Sequence, residues 1–335
     1  MELGKTRTNT NLLGVKIEMF DLILVIFAFI GGVVLIIYSS KYAVKHSAIL
    51  ATALGISPLV IGVTLVSIGT DISEIFNSII SCSLGHGDID VGDSVGSDLT
   101  QLTLIFGMLP LITGAFYIHR RDIIILGCCE VLSLILIFIV VEKGYFTRID
   151  AIFMMACMVL YFWLIYTANK ESIIHRVELL EDYQVTKKKR IHLLIAVISF
   201  GGVTLASFTI VESVIFISRY FNIHEYFISF FILSIGTSLP ELAVDINALR
   251  TGHHSIAVGD IIGSCIVDST LSIAVGQALF PQTVSANLAI PTIIYTIVMS
   301  IIVIASVVIR KKVDKKIGIL FIGLYFLSYF FLFRI

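Results

Sequence analysis

Charge is what this sequence has least of. Asp, Glu, Lys and Arg make up 14% of its 335 residues, against 57% hydrophobic residues, which leaves too little polar surface for a soluble domain of this size. The net charge of −1 at pH 7 removes the basic surface that phosphate neutralisation needs, and so excludes a nucleic-acid partner. Cysteine is sparse too. Cys82, Cys128, Cys129, Cys157 and Cys265 fall in or beside apolar runs, with no C-x-x-C pair and no histidine at metal-ligand spacing. They are expected to be small core residues rather than disulfide or metal partners.

What is present is long apolar segments, and the mean hydropathy of +1.01 marks a polytopic membrane protein. About 20 apolar residues cross a bilayer, which predicts helices near 20–40, 50–84, 91–117, 121–141, 145–168, 191–218, 225–250, 256–279, 286–309 and 316–333. The run from Phe20 to Tyr38 is long enough to span and is expected to be a retained helix rather than a signal peptide. No low-complexity tract, heptad seam or soluble domain interrupts the plan. The polar stretch from Lys170 to Arg190 mixes Glu171, Glu178, Glu181 and Asp182 with basic residues, the composition of a connector. The expected organisation is an N-terminal half over 1–168, a cytoplasmic linker over 169–190 and a C-terminal half over 191–335.

Two stretches repeat one another. Residues 67–104 and 234–271 match at 16 of 38 positions without a gap, at a constant offset of 167. They centre repeats expected over about 55–110 and 225–280. Five spans per half is an odd number, so the second half must enter the membrane in the opposite orientation. The expected fold is all-α, with ten transmembrane helices in two inverted five-helix repeats and helices 2 and 7 broken. Loops on the N-terminal side of this plan hold 7 of the Lys and Arg residues and the other side holds 16. Both termini are therefore expected outside the cytoplasm, in a multi-pass protein of the cell membrane.

The repeats carry the chemistry. Glu74 and Glu241 occupy equivalent positions in apolar surroundings, each four residues after the Thr of a Gly-Thr pair. An ionised carboxylate there costs several kcal/mol unless a cation balances it. Neither motif core contains Lys or Arg, leaving a bound cation or a proton as counter-charge. Gly69-Thr70 and Gly236-Thr237 are expected helix breaks, and Pro240 leaves an upstream carbonyl without its donor. Calcium prefers hard oxygens, which the two glutamates and the carbonyls of Thr70 and Thr237 supply. Sodium is satisfied by hydroxyls such as those of Ser97, Ser238 and Ser264. The alternative for Asp71-x-x-Glu74 and Ser238-x-x-Glu241 is a helix-start capping box, and the two roles can coexist.

Asp268 lies four residues after Ser264, on the same helix face, where the first repeat has Gln101. Its alternatives are a ligand or a hydrogen-bonded structural acid. Asp93 and Asp260 precede Val-Gly-Ser and Ile-Gly-Ser segments read with a capping role. Gly96 and Gly263 are read as close-packing positions, and His86 and His253 as interfacial turn residues.

The doubled G-T-x-x-x-E, G-H and V-G-D-x-x-G-S pattern resembles the alpha repeats of the calcium/cation antiporter superfamily, and its Na+/Ca2+ exchanger branch fits best. The resemblance implies that Glu74 and Glu241 bind calcium beside the carbonyls of Thr70 and Thr237. It implies sodium sites at Ser97, Ser238 and Ser264 and at the carbonyls of Ser67 and Ser234, and makes Asp268 a family acid. It further implies alternating access in which sodium entry drives calcium extrusion, with Ca2+ and Na+ as cargo, no resident cofactor and no obligate protein partner.

The first repeat departs from the family pattern. The usual S-L-P-E is present at Ser238 to Glu241, but its counterpart is D-I-S-E, with Asp71 for the hydroxyl residue and Ser73 for proline. Gln101 stands where Asn is usual; both Asp71 and Gln101 are expected at the metal site, where the added carboxylate of Asp71 would strengthen divalent binding, change the number of sodium ions or hold a proton. Proton-coupled calcium exchange on the same fold is one alternative, and a passive channel is another. An intramembrane aspartyl protease built on Asp93 and Asp260 is a remote third, since both D-V-G-D and A-V-G-D lack the first glycine of a G-x-G-D element.

Overall fold

The computed structural model describes residues 19–53, 67–118, 120–168, 189–250, 252 and 254–332. They form ten helical units: α1 (Met19–Ala53), α2 (Ser67–Thr70 and Ile72–Ser83), α3 (Gly87–Ile112), α4 (Arg120–Val141), α5 (Arg148–Ala168), α6 (Lys189–Phe221), α7 (Glu225–Arg250), α8 (His254–Val267, Asp268–Ser272 and Ile273–Leu279), α9 (Ala286–Arg310) and α10 (Lys315–Leu332). Eight helices among the described residues are long and apolar enough to cross a membrane. The all-α expectation holds apart from one short antiparallel ladder, in which β1 (Phe116–Tyr117) pairs with β2 (Lys312–Val313) in the register Phe116 to Val313.

Helix boundaries differ from those expected from apolar length. Expected to end near residue 40, α1 instead runs 35 residues to Ala53, about 50 Å at 1.5 Å per residue. Lys41, Lys45 and His46 are compatible with a helix leaving the hydrocarbon, and no Gly or Pro intervenes before Gly55. The expected third helix over 91–117 begins earlier and ends at Ile112, and Phe116 and Tyr117 leave it for the β ladder. Residues 54–66 of the expected second helix and 169–188 of the expected linker lie outside the described residues.

Polarity is arranged inside out, as a lipid solvent requires. Phe27, Ile30, Leu132, Ile139, Trp163, Val197, Ile198 and Leu205 are exposed, while carboxylates, amides and hydroxyls of α2, α3, α7 and α8 are buried. Cys128 departs from its expected core position and is exposed, whereas Cys82, Cys129 and Cys265 are buried; all are free thiols. On one flank α1 and α6 pack together through Val33 and Ile36 against Val203, Ala206, Ile210 and Val214. The central spans are α3 and α8, 78% and 89% buried.

Small residues let backbones meet at this centre. A Cβ built at Gly96 would lie 2.3 Å from the Phe230 carbonyl oxygen, and one at Gly276 would lie 2.3 Å from that of Ser78. Helix α3 is thereby seated on α7, and α8 on α2. No described residue lies within 4 Å of such a Cβ at Gly263.

Candidate cation site

Both motif helices are interrupted at equivalent residues. Asp71 has φ −82° and ψ 11°, and Ser238 has φ −84° and ψ 4°, away from regular α-helical ψ. The departures fall one residue beyond the expected Gly-Thr breaks, because Gly69-Thr70 and Gly236-Thr237 remain helical. Ser73 stands where the second repeat has Pro240, yet Asp71 bends as Ser238 does. Proline is therefore not what sets the bend. The Ser234 carbonyl still accepts the Ser238 N–H at 3.2 Å. The side chain of Ser67 lies outside the described set.

Asp71 occupies the N-cap position of the helix Ile72–Ser83 but makes no side-chain capping bond, and both its carboxylate oxygens are buried without a hydrogen-bond partner. The Ser238 hydroxyl is also buried without one. Neither of the alternative capping boxes forms through its first residue. Asp93 and Asp260 do not cap either, since each lies in the middle of a helical segment, Gly87–Leu99 and His254–Val267 respectively. Asp93 instead accepts from Asn77 Nδ2 at 3.1 Å and from Thr237 Oγ1 at 3.3 Å.

Three carboxylates converge. Oxygens of Asp71, Glu74 and Asp268 all lie within 4.8 Å of one another, and all three residues are buried. Glu74 Oε2 accepts from Ser73 Oγ at 2.6 Å, and Glu74 Oε1 has no partner. Asp268 Oδ2 accepts from Gln101 Nε2 at 3.0 Å, and its Oδ1 has none. Glu241 is fully buried with neither oxygen hydrogen-bonded. It is not one of the three acids whose oxygens meet within 4.8 Å.

Hydroxyls line the junction in crossed pairs. Thr70 Oγ1 lies 3.3 Å from Ser264 Oγ, and Ser97 Oγ lies 3.4 Å from Thr237 Oγ1. Ser234 Oγ donates to its own helix at Phe230 O, 2.6 Å, and lies 3.3 Å from Thr100 Oγ1. Gln101 and Asp268 both sit in π-helical segments, Thr100–Ile105 and Asp268–Ser272. Such widened turns recur at functional sites because they re-aim side chains without ending a helix.

Asp93, Asp260 and Asn77 are central residues that the sequence reading did not assign to the site. The signal was available for the two acids: Asp93, Ser97 and Gln101 are spaced by four, as are Asp260, Ser264 and Asp268, so each trio shares a helix face. Asn77 has no such marker, since residue 244 in the second repeat is Val. His86 is the N-cap residue of Gly87–Leu99 and pairs with Glu225 at 2.8 Å at the edge of the bundle. His253 lies outside the described residues.

A helical membrane protein whose repeats meet at buried acids and hydroxyls, with no Lys or Arg among the buried described residues, belongs to the class of cation transporters. The family model described as sodium/calcium exchanger protein matches residues 24–167 and again 191–334, and the chain belongs to that family. It is a cation/Ca2+ antiporter-family transporter, not an enzyme, which removes the protease alternative. The inner membrane protein YrbG of Escherichia coli is 30% identical over 75% of this chain and 79% of its own length. The solved sodium-calcium exchanger NCX_Mj matches 92% of this chain and 99% of its own, with TM-score 0.60 and 23% identity. The H+/Ca2+ exchanger CAX matches 92% of this chain and 82% of its own, with TM-score 0.73 and 15% identity. These two structures establish the shared fold.

Proposed function

We propose that this protein is a secondary antiporter that exchanges Na+ for Ca2+ across the cell membrane by alternating access. Its halves, 1–168 and 191–335, are inverted repeats joined by a cytoplasmic linker over 169–190, with both termini outside the cytoplasm. The observation that carries the reading is the buried triad Asp71, Glu74 and Asp268, with no Lys or Arg among the buried described residues to neutralise it. A divalent ion supplies the missing charge, and Glu241 approaches it from the second repeat. Carbonyls of Thr70 and Thr237 complete an all-oxygen shell of the kind calcium takes.

Sodium competes for the same charge. The hydroxyls of Ser97, Ser238 and Ser264, the carbonyls of Ser67 and Ser234, and the carboxylates vacated by calcium are its ligands. Exchange follows because the acids are too costly to leave bare in a water-poor core, so one cargo departs as the other arrives. The bends at Asp71 and Ser238 are the points about which the half-helices expose the site to either side.

The unpartnered acid at Asp71, where a hydroxyl is usual, favours a second reading in which protons replace sodium. Uptake of 45Ca2+ into proteoliposomes under imposed sodium or pH gradients separates the two. Sodium-gradient-driven uptake that is lost in Glu74→Gln and Glu241→Gln supports Na+/Ca2+ exchange. Uptake driven only by a pH gradient replaces it with H+/Ca2+ exchange, and normal transport by both variants removes the site assignment.

A further inference from the structure

A seam of buried polar residues leads from the triad to an exposed turn. On α2, Glu74, Asn77, Ser78, Ser81 and Cys82 are all buried, and spacings of three and four place them on one helix face. On α3, Asp90, Asp93 and Ser97 are buried at the same spacings. The two stripes face each other, for Asn77 Nδ2 donates to Asp93 Oδ2 at 3.1 Å and Cys82 Sγ donates to Asp90 Oδ2 at 3.3 Å. Helix α8 flanks the outer part: Gln277 Nε2 donates to the same Asp90 oxygen at 2.7 Å, and Ser78 Oγ accepts from the Gly276 N–H at 3.1 Å. Immediately beyond Cys82, residues 83–85 of the α2–α3 turn are exposed.

Two acceptors in the seam are unspent. Asp90 is only 2% exposed, and its Oδ1 is buried with no hydrogen-bond partner, as is Asn77 Oδ1. Both are hard oxygens of the kind Ca2+ takes. A buried acid inside a membrane bundle is costly, and such residues mark ion pathways. The duplication supplies the comparison. At the offset of 167 the counterparts of Asn77, Ser81, Cys82 and Asp90 are Val244, Ala248, Leu249 and Ala257, and polarity is kept only at Asp245 and Asp260, opposite Ser78 and Asp93. Ala248, Leu249 and Ala257 belong instead to a buried apolar cluster with Val258 and Ile261. The polar stripe is therefore not a demand of the shared fold, because the second hairpin packs the same positions with apolar side chains.

We propose that the α2–α3 seam is the route by which the cargo cation reaches the triad from the side of the α2–α3 turn, with Asp90 as its intermediate carboxylate ligand. The inference rests on the transport-site reading and adds a residue to it. A carboxylate on the way in raises the local cation concentration and speeds arrival. It leaves the strength of binding at the triad unchanged. Lacking a counterpart of Asp90, the second repeat offers no equivalent station, which makes the two sides of the transporter unequal.

Initial rates of 45Ca2+ uptake into proteoliposomes, set beside equilibrium 45Ca2+ binding to the purified full chain, test this. Asp90→Asn keeps the shape of the side chain and removes its charge. It is expected to lower kcat/KM for Ca2+ by about tenfold or more while the Kd stays that of the parent, and Asp90→Glu is expected to recover most of the rate. Asp90→Ser is the second neutral variant, expected to behave as Asp90→Asn does and to stand in for it if the amide disturbs folding. Monodisperse elution with the parent Kd reports an intact fold. A parent-like kcat/KM in the neutral variants, or a Kd that weakens by the factor by which kcat/KM falls, would overturn the role of Asp90. Parent-like equilibrium binding by Glu74→Gln would instead count against the transport-site reading.

Discussion

Gln101 Nε2 donates to Asp268 Oδ2 at 3.0 Å across 167 residues of chain, and that separation is the repeat offset itself. The two are equivalent positions of the duplicated segment, facing each other where the halves meet. The hydroxyl contacts follow the same symmetry: Thr70 with Ser264 and Ser97 with Thr237 are one pair with both members exchanged between repeats. At the centre the symmetry fails chemically, because an amide meets an acid. The amide gives one half a donor that fixes the other half's carboxylate.

Gln101→Leu removes that donor and leaves Asp268 with neither oxygen hydrogen-bonded. A hydrogen bond to a charged group is worth roughly 1.5–3 kcal/mol, so the Ca2+ concentration for half-maximal flux is expected to rise by about tenfold or more. Titration of 45Ca2+ uptake against free Ca2+ checks this, and an unchanged midpoint would show that Asp268 does not depend on the amide.

Asp71→Ser restores the hydroxyl usual in the family and takes one carboxylate out of the triad. Divalent binding is expected to weaken by at least about tenfold, since a close carboxylate contributes more than 1.4 kcal/mol in a desolvated site. The same variant should gain thermal stability without calcium, because Asp71 has no partner for either oxygen. Calcium binding and melting temperature are read on one preparation, and both are expected to move.

Gly96→Ala places a methyl group against the Phe230 carbonyl, with 2.3 Å between Cβ and oxygen. Backbone cannot swing aside as a side-chain end can, so the expected loss is about 1–3 kcal/mol, visible as a lower melting temperature in detergent. Gly31→Ala, which meets no described atom within 4 Å, is the matched control and is expected to be neutral or slightly stabilising.

His86 Nδ1 lies 2.8 Å from Glu225 Oε2, with the two side chains 23% and 18% exposed. A hydrogen bond contributes about 0.5–1.5 kcal/mol, so Glu225→Ala is expected to lower the melting temperature while calcium affinity stays close to that of the parent protein, because the pair lies at the edge of the bundle. A large fall in calcium affinity would mean that this edge is coupled to the site.

Hydropathy and duplication made much of this architecture legible. Length and apolarity located the helices, because a membrane span must be long and apolar whatever it packs against. Their ends were harder to read. The polar residues Lys41, Lys45 and His46 do not stop α1, since a helix may leave the bilayer without unwinding. The π-helical turns carrying Gln101 and Asp268 have no composition of their own and depend on how α3 and α8 pack. Within the site, Glu74 and Glu241 stood out as lone acids in apolar sequence. Asp93 and Asp260 look like helix caps when their V-G-S and I-G-S neighbours are read alone, and their place in the site shows only in the four-residue spacing to Ser97 and Ser264. Asp71, Glu74 and Asp268 are each named as candidate ligands by the sequence, but their meeting is not, for Asp268 reaches Asp71 and Glu74 from nearly two hundred residues away.

The most direct measurement is a high-resolution density map of the purified protein in saturating Ca2+. One ion is expected within about 2.3–2.6 Å of carboxylate oxygens from Asp71, Glu74 and Asp268, with Glu241 closing on it from the opposite half. A map in which these side chains point apart with no density between them would contradict the assignment.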